Sequence, residues 1–84
     1  MAYRVELKTS VAKDFKPIPS PDIERIISKI DSLATDPRPA GAAKLVGTQA
    51  WRVQTGNYRI LYQIDDQTQR ITIIKIGHRS AVYR

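Results

Sequence analysis

The last stretch of the chain combines residue types that suit phosphate chemistry. An apolar run is followed there by Gly77, His78, Arg79, Tyr83 and Arg84. Arginine binds phosphate oxygens in bidentate fashion, whereas histidine and tyrosine can transfer protons or stack on a nucleobase. A basic, solvated tail is the alternative interpretation of such an ending. The rest of the chain favours phosphate chemistry.

The positive charge is concentrated in the second half of the chain. The net charge is +6, but residues 1–40 carry seven basic and six acidic side chains, whereas residues 41–84 carry seven basic and only two acidic ones. This asymmetry favours an acidic partner, most simply nucleic acid, although solubility alone also explains a charge of this size.

Length and composition exclude several classes of protein. The 84 residues predict one domain, 1–84, with a single modest core. Because the chain has no cysteine and one histidine, we expect no disulfide, no thiolate nucleophile, no metal site and no cofactor. No apolar run is long enough to span a membrane, so we expect no membrane partner and a cytoplasmic location.

The elements that must position these residues follow from the apolar patterns. Residues 3–8 alternate as a half-buried strand, and residues 11–16 favour a short helix. Ser20 and Pro21 are typical of a helix start, and isoleucines spaced by three and four extend the helix to about Thr35. A loop over residues 40–49, which contains Lys44, precedes strands over 50–55, 58–65 and 70–77. We predict an α+β fold: an N-terminal strand and two-helix hairpin packed on a small, mostly antiparallel sheet of about four strands.

The pair Gly56-Asn57 predicts a two-residue hairpin turn and fixes the register around it. Gln54 should then face Arg59, and Arg52 should face Leu61, so that these polar residues share one face of the sheet. The other face, with Trp51 opposite Tyr62, should pack on the helices. The sequence therefore predicts a basic face near the hairpin, beside the end of the last strand.

Each candidate also has a simpler structural interpretation. Arg59 is equally well an exposed sheet arginine, and Arg79 a surface ion-pair partner of Asp65 or Asp66, which we interpret as turn residues. His78 is a general acid or base, or else it packs locally. The ring of Tyr83 can dock in the core, stack on a base or assist proton transfer. Lys44 and Lys75 are, on the simplest interpretation, solvated charges.

Four motifs in order resemble the RelE toxins of bacterial and archaeal toxin–antitoxin pairs. The motifs are Lys44 to Gly47, Trp51 to Val53, Gly56 to Asp66, and Ile76 to Arg84. Together with the predicted strand and helices they cover essentially the whole chain. The Gly-x-Tyr-Arg-x-x-Tyr strand is common to the wider RelE/ParE superfamily, and the Gly-His-Arg to Val-Tyr-Arg ending is similar to the ribonuclease branch.

The resemblance implies a metal-independent endoribonuclease that cuts messenger RNA in the ribosomal A site and is held inactive by a RelB-like antitoxin. By position, Arg59 and Arg79 would stabilise the scissile phosphate, Tyr83 would stack on a base, and Arg52 would lie in the basic cleft. We include His78 among the catalytic candidates. The candidates for RNA binding are Lys44, Arg52, Gln54 and Arg84.

The sequence departs from some relatives at two of these positions. Gln54 and His78 stand where some members have lysine, so the resemblance does not assign the proton-transfer groups. With few acid–base groups, catalysis would rest on positioning and on arginine electrostatics. A ParE-like inhibitor of DNA gyrase and a plain RNA-binding module are the alternative functions.

Overall fold

The computed structural model describes residues 2–80, which form two helices and one five-stranded sheet. The strands are β1 (Arg4–Leu7), β2 (Ala43–Lys44), β3 (Ala50–Thr55), β4 (Tyr58–Asp65) and β5 (Arg70–His78), and the helices are α1 (Val11–Asp14) and α2 (Ser20–Leu33). The sheet order is β1-β5-β4-β3-β2; β1 runs parallel to β5, and the other neighbours are antiparallel.

The predicted α+β architecture is confirmed, with one more strand than expected. The additional strand is β2, so the prediction that Lys44 lies in a loop was wrong. Two residues of backbone pairing with β3 are too short for a sequence signal, because they contain no alternation to detect.

Both helices are shorter than predicted at their C-terminal ends. Helix α1 ends at Asp14 and α2 at Leu33, before Pro17 and Pro37 respectively. Helix α2 begins at Ser20, with Pro21 in its first turn as expected, but Pro19 takes the N-cap position and no side chain caps the helix. The start therefore relies on the geometry of proline and on Asp22 in the first turn.

The core lies between the helices and one face of the sheet, which we call the helix face. Buried Ile26, Ile30 and Leu33 of α2 pack with Val11 of α1 against the strands. The strand residues in this cluster are Val53, Ile60, Tyr62, Ile71, Ile73 and Ile76. The β3 and β4 residues of this cluster, Val53, Ile60 and Tyr62, lie on the face that the sequence predicted to pack on the helices, and Trp51 packs against them. The predicted sorting of the two faces is therefore confirmed.

Strand β5 lies between β1 and β4, and it has apolar residues on both faces, which is typical of a central strand. Strand β1 covers only the first part of its outer edge, pairing with residues 70–73. Beyond that point the carboxylate of Asp14 accepts a hydrogen bond from the backbone N–H of Ile76 at 3.0 Å. Helix α1 thus satisfies an edge group that no strand reaches.

Candidate functional site

Two rows of residues near the hairpin form the basic part of the second sheet face. The register pairs Gln54 with Arg59 and Arg59 with Gly77, so these three share one row. The next row contains Arg52, Leu61 and Lys75. We call these six positions the basic face. The predicted hairpin register, including Gln54 opposite Arg59, is confirmed, and the turn residues are Gly56 and Asn57, with Gly56 at φ +60°.

A β-bulge in β5 determines which residues of that strand join the basic face. Tyr62 pairs with Ile73 but Leu61 pairs with Lys75, so Ile74 is an additional residue. Without it, alternation from buried Ile73 would place Lys75 on the helix face. The bulge instead places Lys75 on the basic face, and the next residue, Ile76, enters the core with 2 % of its surface exposed.

Arg79 continues the β4–β5 ladder by one hydrogen bond. Its backbone N–H donates to the carbonyl of Asn57 at 2.8 Å. Since Gly77 lies opposite Arg59, alternation places Arg79 on the same side, diagonal to Arg59. The side chain of Arg59 is half-buried, with its Nε atom shielded from solvent, whereas Arg79 is exposed.

His78 lies on the other side of the sheet. It pairs with Tyr58, and the two rings meet edge to face with centroids 5.7 Å apart. The backbone N–H of Ser80 donates to Nδ1 of His78 at 3.2 Å, and the Ser80 hydroxyl lies 2.9 Å from the same atom. As an acceptor Nδ1 carries no proton, so the neutral ring is protonated at Nε2. These contacts match the local-packing interpretation and do not bring His78 beside Arg59.

The remaining candidates lie apart from the basic face or outside the described residues. Lys44 pairs with Trp51, so the register places it on the helix-face side of the β2 edge, and it is exposed. Tyr83 and Arg84 lie outside residues 2–80. The structure thus brings together Arg52, Gln54 and Arg59 and separates Lys44 and His78 from them.

Ion pairs occupy the opposite end of the molecule from the hairpin. Arg70 pairs with Glu6 at 3.2 Å, and Arg38 pairs with Asp66 at 2.9 Å. Asp65 accepts hydrogen bonds from Thr68, which are the main cause of the lowered pKa of its carboxyl, and from the backbone N–H of Gln67. Asp66 is thus a turn residue, as interpreted, whereas Asp65 is the last residue of β4 and pairs with Arg70. The ion-pair partner of Asp66 is Arg38, not Arg79.

Asp66 joins distant segments through a polar cluster. Its carboxylate accepts hydrogen bonds from both terminal nitrogens of Arg38 and, at 2.6 Å, from the Tyr3 hydroxyl. The Arg38 bonds, followed by the Tyr3 bond, hold the pKa of Asp66 below its usual value, and the same carboxylate raises the pKa of Tyr3. The Arg38 guanidinium also lies 5.2 Å from the centroid of the Trp51 ring.

Tyr62 ties the same loop to the sheet from inside the core. Its side chain is fully buried, and its hydroxyl donates to the carbonyl of Pro37 at 2.7 Å. Burial raises its pKa to about 12 because the ionised phenolate would lose its water. Strand β4 thus carries a core anchor on one face and Arg59 on the other.

The sequence reasoning missed two features: the position of Lys75 on the basic face and the contact between Arg38 and Asp66. Lys75 was interpreted as a solvated charge, because simple alternation gave no reason to place it near Arg52. A signal exists: Ile71 and Ile73 are in phase, whereas Ile76 is out of phase, which is what one inserted residue produces. The Arg38–Asp66 contact joins residues 28 positions apart and leaves no local pattern.

Comparison with known proteins identifies the family. The model for the ParE toxin of the type II toxin–antitoxin system parDE matches residues 5–83. The chain belongs to the RelE/ParE toxin family. It is 28% identical to toxin RelG of Mycobacterium tuberculosis over 100% of this chain and 99% of that protein. It is 30% identical to putative toxin RelE1 of Methanocaldococcus jannaschii, over 100% of this chain and 98% of that one.

Solved structures of RelE toxins share the architecture. The archaeal RelE–RelB complex from Pyrococcus horikoshii superimposes with a TM-score of 0.84 and 28% identity, covering 98% of this chain and 100% of that chain. The isolated Escherichia coli RelE toxin gives 0.78 and 25% identity, covering 98% of this chain and 92% of that one. The resemblance to RelE toxins expected from the four motifs is confirmed.

Proposed function

We propose that this RelE/ParE toxin is a ribosome-dependent endoribonuclease that cuts messenger RNA in the A site without a metal ion. The observation that carries the proposal is the basic face, where Arg59 shares a row with Gln54 and lies one row from Arg52. Guanidinium groups on a rigid strand are preorganised for phosphate oxygens and do not have to reorganise as charge develops.

In the proposed reaction the ribose 2′-oxygen attacks the adjacent phosphorus and the bond to the 5′-oxygen breaks. The products are a 2′,3′-cyclic phosphate, which can open to a 3′-phosphate, and a 5′-hydroxyl. Arg59 and Arg79 stabilise the negative charge that accumulates on the non-bridging oxygens. The 2′-hydroxyl loses one proton and the leaving 5′-oxygen gains one. Tyr83 is a candidate for these transfers, whereas His78 meets Tyr58 on the other side of the sheet from Arg59.

We propose that a RelB-like antitoxin holds the toxin inactive. Support comes from the solved relative of Pyrococcus horikoshii, which is a complex of RelE with RelB. The excess of positive charge in residues 41–84 suits an acidic partner segment that folds on binding. Expression of this chain alone should arrest growth, and co-expression of the antitoxin gene should relieve the arrest. The target also requires the toxin to act in the cytoplasm, where messages are translated.

A ParE-like inhibitor of DNA gyrase is the second candidate. The specific observation in its favour is that the matching family model is that of ParE toxins. Such an inhibitor binds a protein and needs no phosphate chemistry, so its activity would not require Arg59 and Arg79 to stabilise charge on a phosphate.

Primer extension on translated messages separates the two candidates. Purified toxin is added to ribosomes programmed with a defined message, and the same preparation is added to a gyrase supercoiling reaction. New 5′ ends at the A-site codon with unaffected supercoiling support the ribonuclease. Blocked supercoiling without cuts refutes the ribonuclease and supports the gyrase inhibitor. Neither effect from folded protein refutes both.

A further inference from the structure

The second row of the basic face consists of an apolar residue between two cations. Arg52 and Lys75 lie at its two sides, two strands apart, with Leu61 of β4 between them. Strand spacing sets their Cα atoms about 9–10 Å apart. Leu61 is only 8 % exposed although it does not belong to the helix-face core, and the aliphatic stems of the flanking cations are long enough to cover it.

Lys75 lies on the part of this face that is away from the acidic residues of the sheet. It is exposed, and among residues 2–80 the ion pairs are Arg25 with Asp22, Arg38 with Asp66 and Arg70 with Glu6. The acidic residues of this side of the sheet, Glu6 and Asp65, lie at the far end beside Arg70. Among residues 2–80, Lys75 thus makes no ion pair, and the carboxylate of Asp14, which lies beside the same strand, accepts the backbone N–H of Ile76 at 3.0 Å.

We propose that Arg52 and Lys75 form a second phosphate subsite, which holds the RNA phosphate next to the one at Arg59. The inference rests on the proposed ribonuclease function and names a residue that the reaction itself does not require. The two rows are two residues apart along β4, about 6.8 Å, so one RNA strand running along β4 meets them in succession. Leu61 lies beneath the phosphate as an apolar contact, and the guanidinium of Arg52 and the ammonium of Lys75 bind the phosphate from either side.

The bulge at Ile74 creates this subsite. Removing the phase change would return Lys75 to the helix face, where the core has no place for a charge. One additional residue in β5 therefore places Lys75 on the basic face and Ile76 in the core. Bulges commonly re-aim a side chain near a functional site in this way.

The test is binding of a labelled single-stranded RNA oligonucleotide by full-length protein at several salt concentrations, with A-site cleavage of a message measured in parallel. Lys75→Gln should weaken RNA binding about three- to tenfold and reduce the slope of log K against log salt by about 0.7, the loss of one phosphate contact. Lys75→Arg should bind like the wild type. The matched control is Lys29→Gln on α2, behind the sheet, which removes the same charge and should leave the slope unchanged.

Failures of the two proposals are distinguishable. If the wild type cuts messages but Lys75→Gln binds as tightly as Lys29→Gln, with the same slope, the subsite is refuted and the ribonuclease stands. If the wild type binds RNA without cutting, and the slope falls only in Lys75→Gln, the subsite stands and the ribonuclease is refuted. Wild-type protein that neither binds nor cuts RNA refutes both.

Discussion

Replacing Tyr62 with phenylalanine should make the chain less stable at neutral pH and more stable at high pH. The substitution keeps the ring that fills the core and removes only the hydroxyl that donates to Pro37. One neutral hydrogen bond contributes about 1 kcal/mol net. For a chain of 84 residues the unfolding entropy is about 0.18 kcal/mol/K, so Tm at pH 7 should fall by about 6 °C.

The reversal at high pH follows from the raised pKa of Tyr62. Its phenol has a pKa of about 12 in the folded chain and 10.0 as a free side chain. Because the folded pKa is the higher one, the stabilisation is complete below pH 10 and is lost as pH rises toward 12. The wild type should lose about 1.4 kcal/mol by about pH 11 and about 2.3 kcal/mol by about pH 12 from this group alone. Since this loss overtakes the 1 kcal/mol cost of the variant, the two stability curves should cross between about pH 10.5 and about pH 11.

Urea unfolding followed by fluorescence of Trp51, the single tryptophan, gives the free energy of unfolding at each pH. Other titrating groups occur in both proteins and cancel in the difference between them. A difference that stays constant from neutral pH to pH 11 would show that the Tyr62 hydroxyl is not held as the buried, neutral donor described above. A Tyr62→Phe variant more stable than the wild type at pH 7 would contradict the contribution of the Pro37 bond.

Three further outcomes are expected. Because hydrogen bonds lower the pKa of Asp66, its contribution to stability is present above its usual pKa of 3.8 and is lost as pH falls through the lowered value. The melting temperature of Asp66→Asn should therefore fall less steeply than that of the wild type between about pH 5 and about pH 2. Parallel declines of the two melting temperatures would exclude this role of Asp66. Cleavage should survive treatment of the toxin with EDTA, when the chelator is removed before ribosomes are added. The reason is that residues 2–80 contain no group of three or more histidine, cysteine or acidic residues placed to hold a metal. Loss of cleavage that an added metal restores would contradict this. Tyr83→Phe should reduce cleavage less than Tyr83→Ala if the ring stacks on a base, and equally if the hydroxyl transfers a proton.

Local patterns were sufficient for most of the fold. The Gly56-Asn57 turn fixed the register of β3 and β4, because a two-residue turn leaves only one way to pair the flanking residues. From that register the positions of Arg52, Gln54 and Arg59 on one face followed directly. The apolar stripe of α2 likewise identified its buried side, although Ile27 within the stripe remains 47 % exposed.

The features that could not be predicted depend on tertiary context. The position of Lys75 depends on a bulge whose only trace is a change of phase between Ile73 and Ile76. For His78 the sequence left acid–base chemistry and local packing open, because its contact with the Tyr58 ring depends on the register of β4 and β5. Strand β2 is defined only by its backbone pairing with the edge of β3, and a strand of two residues has no alternation from which this pairing could be predicted.

The most direct test of the ribonuclease proposal is the rate of A-site cleavage by toxin lacking the two arginines. Wild type, Arg59→Ala, Arg79→Ala and the double variant are compared on the same programmed ribosomes, with Lys29→Gln as a control for lost charge. Each arginine variant should cut roughly 10²-fold more slowly, the effect of losing one preorganised stabilising group, with little change in Tm because neither side chain belongs to the core cluster. Cleavage by the folded double variant at the wild-type rate would contradict the account.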